Sequence, residues 1–171
     1  MRRRLMIQRL LLTALLLSAT CLAGPAWAAL AEVSTAELIH RSSDVVRAEV
    51  LSIESAWNEP KDFILTTVTL RVTEVYKGTV EASSTVDVIV PGGEVDGIGL
   101  GVEHAPQFEI GQNVIVLLRP TDEPVFAVVG WEMGKFTVHE DHVVEKGVSL
   151  EEFRTEIRRV VDEETDAERG E

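Results

Sequence analysis

The 171-residue chain has one cysteine, one tyrosine, only 5% aromatic residues and a shortage of positive charge, with 16 Lys and Arg against 29 Asp and Glu. One cysteine excludes an internal disulfide framework, and with four histidines it also excludes a cysteine-rich zinc site. The formal charge of −13 speaks against a nucleic-acid partner, because such surfaces gather Lys and Arg on one face. No Gly-x-Ser-x-Gly elbow occurs. The longest apolar run falls short of the roughly 20 residues of a membrane helix.

What is present begins with an address. Arg2, Arg3, Arg4 and Arg9 form a positive n-region, Leu10 to Leu17 an apolar h-region, and Ala26-Trp27-Ala28 offers the small residues that signal peptidase requires. Residues 1–28 therefore read as a Sec-type signal peptide, and a retained N-terminal anchor is the alternative. A lipidated Cys21 and a twin-arginine signal fit less well, because Ser18 and Thr20 are poor lipoprotein positions and the core is leucine-dense. Cleavage after Ala28 removes four arginines and no acid, leaving 12 basic against 29 acidic residues, a charge of −17. It also removes Cys21, so the exported domain must be held by its core alone. At this size it should bury about 68–70% of its unfolded surface, which is enough. The predicted location is the periplasm or the exterior.

The mature chain reads as a domain over residues 29–148 and a helix with an acidic tail over 149–171. Ser34-Thr35-Ala36-Glu37 has capping-box spacing and predicts a short helix over 35–41, with Leu38 and Ile39 buried. From Val45 the period becomes two. Val46, Ala48 and Val50 share one face, and a slip near Leu51-Ser52-Ile53 predicts a bulge. Asn58 to Asp62 is a turn. Val68, Leu70 and Val72 then define a second strand, and Val86, Val88 and Val90 a third. After the glycine-rich stretch 91–112 come short apolar runs at 114–118, 125–130, 135–138 and 142–145. Five to seven strands without interleaved long helices indicate an antiparallel barrel or sandwich. Ser149-Leu150-Glu151-Glu152 opens a second helix whose stripe of Leu150, Phe153, Ile157, Val160 and Val161 packs on the barrel. The charge-rich 163–171 segment is predicted to fray.

Ser43 to Val50 followed by Thr69 to Gly78 resembles the opening strands of the netrin-type module, and Phe108 to Gln112 with 114–118 and 125–130 is similar to its closing hairpin. Gly92-Gly93 and Gly134-Lys135-Phe136 also look like motifs of a set of exported bacterial proteins. The resemblance implies a mainly β fold, a small OB-like barrel shared with tissue inhibitors of metalloproteinases. It further implies a regulator of an extracellular metalloprotease. The N-terminal cysteine that those inhibitors place on the protease zinc has no counterpart, because the predicted mature chain starts at Ala29. Their inhibitory ridge therefore transfers to no residue.

His139-Glu140-Asp141-His142 is the one run of metal-capable side chains, suited to Zn²⁺ or Cu²⁺. Strand alternation would put His139 and His142 on opposite faces, so only a tight turn brings them together. Its bland reading is a polar turn. Gly92 to Gly101 lacks the Gly-Lys-Ser/Thr ending of a phosphate loop, and its Glu94, Asp96 and Glu103 suit Ca²⁺ better without any regular spacing. A surface loop or β-ribbon is the plainer account. His40 and His104 stand alone, and Trp57, Trp131, Phe108 and Phe126 fit core or rim packing. The reading that follows is an exported, non-enzymatic binding module without a cofactor, whose partner is a protein or extracellular polymer. Gly92, Gly93, Glu94, Asp96 and Trp131 are its candidate contacts. Metalloprotease regulation and divalent-metal binding through His139 and His142 are the alternatives.

Overall fold

The computed structural model describes residues 33–170, so the predicted leader, its cleavage site and Cys21 lie outside the described residues. The domain is mainly β: a closed five-stranded barrel with a short helix before it and a long helix after it. The first helix, α1 (Thr35–Arg41), is capped by Ser34, whose hydroxyl accepts the Glu37 N–H at 3.1 Å. The expected return bond from Glu37 gives way to Arg41, 2.9 Å from its carboxylate one turn on, so only half of that capping box forms.

Two long strands follow, β1 (Asp44–Trp57) and β2 (Ile64–Lys77), joined at the Asn58 turn. The β1–β2 register slips between Val50 and Ser52, the bulge that the sequence pattern predicts. β3 (Thr85–Pro91) pairs with β2. A separate two-stranded ribbon, β4 (Gly93–Val95) and β5 (Ile98–Leu100), interrupts the chain before β6 (Asn113–Pro120) and β7 (Phe126–Val128). The barrel order is β1-β2-β3-β7-β6, closed by β6 pairing back to β1 from Asp44↔Leu118 to Glu49↔Asn113. One pair departs from the antiparallel expectation, since β3 and β7 run parallel. With that order and that single parallel pair the barrel is OB-like. β8 (Lys135–His139), β9 (His142–Val143) and β10 (Val148–Ser149) extend the sheet beyond β6.

Two cores share the barrel wall. Val46, Ala48, Val50, Val68, Leu70, Val72, Val88, Val114, Val116 and Leu118 fill the interior. Val45, Ile115, Leu117, Phe136, Val138 and Val143 face outward, under α1 and the C-terminal helix α2 (Leu150–Arg169). From that helix Leu150, Phe153, Ile157 and Val160 are buried, and the Phe153 ring lies 4.8 Å from Phe136. Its capping box at Ser149 and Glu152 is complete, and the hydrogen bonds from Ser149 hold the Glu152 carboxyl below its ordinary pKa.

The predicted frayed segment 163–171 is instead helical through Arg169. Polar ties carry it. Glu164 pairs with Lys77 at 2.7 Å, Arg159 reaches Glu163 at 2.8 Å, and Thr165 bonds back to the Val161 carbonyl. Closer to the start of the helix, Arg154 joins Glu74 at 2.6 Å and the Tyr76 hydroxyl at 3.3 Å, and burial raises the Tyr76 pKa.

Asp44 anchors the turn that follows Lys77. Its buried carboxylate accepts the N–H groups of Thr79 and Val80 at 2.8 and 3.1 Å and the Ser43 hydroxyl at 2.7 Å. Gly78 passes so close that a Cβ there would overlap that carboxylate. Asp44→Ala strands both amides and is expected to cost about 2–3 kcal/mol, read as a lower urea midpoint at unchanged slope. Asp44→Asn, which keeps one acceptor, should lose less. A midpoint unmoved by Asp44→Ala would contradict this role.

Candidate functional site

The chain from Phe126 to His139 runs along a single edge of β6, but not continuously. Val129 donates to the Leu117 carbonyl at 2.8 Å, whereas the next β6 residue, Val116, pairs with Lys135. The residues between have no place in the ladder and leave the sheet as a 3₁₀ turn, Trp131–Gly134. Glycines bracket the departure. Gly130 has φ 74° and lies against Leu38 of α1, and a Cβ on Gly134 would overlap the Val129 carbonyl.

The excursion carries two large apolar side chains into solvent, Trp131 at 50% and Met133 at 49% exposure. It is pinned from the neighbouring loop by the Glu132 N–H, which donates to the His104 carbonyl at 3.0 Å, and by His104 Nδ1, 2.7 Å from the Glu132 carboxylate. Both His104 and Trp131 hold left-handed backbone, φ 61° and 58°, which costs a bulky residue about 1–3 kcal/mol. Trp131 thus stands on a rigid, strained mount.

Two hollows border Trp131. One, about 470 Å³, is walled by Glu103, His104, Trp131 and Met133. The other, about 210 Å³, lies against Leu65, Ile89, Pro91, Pro106, Arg119 and Val128. Pro91 and Pro106 also border a third hollow at the barrel mouth, where Gly92 and Gly93 sit. The structure therefore brings Trp131 and Gly92-Gly93 to adjoining hollows, as parts of one end of the barrel.

The two glycines act differently from Trp131. Gly92 donates to the Ile64 carbonyl at 2.8 Å and accepts from Thr66 Oγ1 at 2.6 Å, and a Cβ on Gly93 would overlap Ser55 Oγ and Thr66 Oγ1. They let the ribbon cross tightly over the mouth. Glu94 and Asp96 are exposed on that ribbon, with Asp96-Gly97 as its two-residue turn at φ 53° and 77°. The Asp-Gly pair is the sequence signal for this hairpin.

His139 and His142 become directly opposed residues across a two-residue turn with Glu140 at φ 52°, so the tight turn does bring them together. Among the described residues no group of three or more His, Cys, Asp or Glu converges as a metal site requires. His40 is exposed, 3.8 Å from Glu164. Lys135 was no candidate by sequence, yet burial lowers its pKa against the pull of Glu145 and Glu109. Its ammonium is engaged by Thr137 Oγ1 at 2.8 Å, beside the Phe108 ring, and serves the fold.

His104 is the site residue that sequence reasoning missed. Glu132 is 28 positions away, and only the excursion brings it to the imidazole. Glu103 approaches the other nitrogen, Nε2, at 3.5 Å. Two carboxylates on opposite ring nitrogens favour the imidazolium rather than a shared metal ion.

No family model matches the chain, and no curated protein matches it. Among the described residues no helix is long and apolar enough to cross a membrane.

The hydrogen bond and charge of Glu132, with a smaller contribution from Glu103, raise the His104 pKa above its ordinary 6.5. A raised folded-state pKa stabilises the fold below the unfolded value and loses that contribution as pH rises through the folded one. An NMR titration of the imidazole should therefore show a midpoint above 6.5. Glu132→Gln should bring it down. A midpoint that ignores Glu132→Gln would show that the pair does not form.

Proposed function

We propose that the chain is an exported, non-enzymatic binding module that docks a partner protein or extracellular polymer at the Trp131 end of its barrel. The observation that carries this reading is the exposed Trp131–Met133 pair. A fold gains nothing from holding a tryptophan half in water on left-handed backbone, whereas a partner surface gains a rigid aromatic anchor. The adjoining hollows give that anchor somewhere to seat neighbouring side chains. Export rests on the leader-like residues 1–28.

A photo-crosslinking residue in place of Met133, which leaves the Trp131 anchor intact, should give a discrete adduct in cells that make the protein. The same residue at Ile110 or Val144, also exposed, should not. Equal labelling at all three positions, or none at 133, counts against the docking surface.

The second reading is regulation of an extracellular metalloprotease. It is supported by the barrel order, which suits the netrin-type resemblance, and by nothing in the site chemistry. Stoichiometric protein should then slow an extracellular metalloprotease from the same source. Unchanged turnover removes that reading.

A further inference from the structure

We infer that the segment docking on Trp131 is cationic: a protein segment presenting a Lys or Arg side chain next to an apolar one. This deepens the docking reading above and rests on it. The apolar component follows from the hollow beside Pro106 and Val128 and from the indole itself. The charge follows from the second hollow that Trp131 borders. There Glu103 and Glu132 stand with side chains 89% and 55% exposed, and His104 between them is the one basic group in that wall.

A Lys or Arg stem laid over the indole meets the ring's negative face with its charge and places its head toward the acidic rim of Glu103 and Glu132. Arg119 lines the apolar hollow and makes no ion pair among the described residues. It repels a cation from that side and so confines it to the Glu103–Glu132 rim. The chain as a whole, at −13, reinforces the choice by drawing basic segments and repelling acidic ones during encounter. The raised pKa of His104 reports the same negative field, set mainly by Glu132.

The test uses the full domain and a fluorescently labelled, tryptophan-free peptide of alternating Lys and Leu, followed by anisotropy at about 0.15 M salt, where distant charges are screened. Saturable binding is expected. It should weaken on the order of ten-fold when Glu103→Gln and Glu132→Gln are combined. It should hold when Asp162→Asn and Asp166→Asn remove the same charge from the exposed face of α2. Trp131→Ala should abolish it, with Met133→Ser as a second variant should the first fail to fold.

The inference is overturned if the lysine-acetylated peptide binds as tightly, if the α2 pair weakens binding as much as the rim pair, or if the Lys/Leu peptide does not bind. In the first case, dependence on Trp131 leaves the docking reading standing. Binding indifferent to both Trp131→Ala and Met133→Ser sinks the docking reading itself.

Discussion

Val114 to Leu118 are five successive residues of β6 with no surface left to solvent. Val114, Val116 and Leu118 fill the barrel, while Ile115 and Leu117 lie beneath the helices. The strand is also bonded along both edges, to β1 on one side and to β8 and β7 in turn on the other. A strand buried on both faces must be apolar at every position, and the chain around it must supply two covers and two neighbours. Barrel closure through β1, the helical layer over the outer face and the split between β7 and β8 all follow from that demand.

The split is what creates the Trp131 excursion. One edge of β6 is too short to pair the whole of Phe126 to His139 in register, so the surplus residues are expelled between Val129 and Lys135. Expulsion would ordinarily yield a loose loop. Here Gly130 and Gly134 permit close packing at its two ends, and the clasp with His104 fixes its middle. The strain at Trp131 and His104 is supported by the surrounding sheet, which is the circumstance in which such backbone persists.

Charge is distributed with the same asymmetry. The few cations are largely drawn into the fold: Lys77 and Arg154 tie the helix to β2, Arg71 meets Glu49 across the β1–β2 pair, and Lys135 is buried against Thr137. Partly buried ties of this kind hold elements together, whereas exposed pairs such as Arg41–Glu37 contribute little. With the cations so engaged, the exposed carboxylates beside Trp131 face water with His104 as their neighbour. The acidity evident in the composition thus becomes a local property of the rim beside Trp131.

Much of the domain was legible in one dimension because it rests on local pattern. The alternation of Val46, Ala48 and Val50, the slip at Leu51, the helix over 35–41 and the Ser149 cap are all set by neighbours within a few residues, and each is found where its residues place it. The continuous helix past Glu163 was not legible, because Lys77 stabilises it from another element. Nor was the half-formed first capping box, decided by competition from Arg41. Periodicity and capping are short-range physics, so the sequence alone determined the elements, the barrel class and the sign of the charge. Which tryptophan is exposed, and which glutamate meets His104, depends on how an over-long stretch shares one edge of β6. That is a long-range accommodation, and only the tertiary structure decided it.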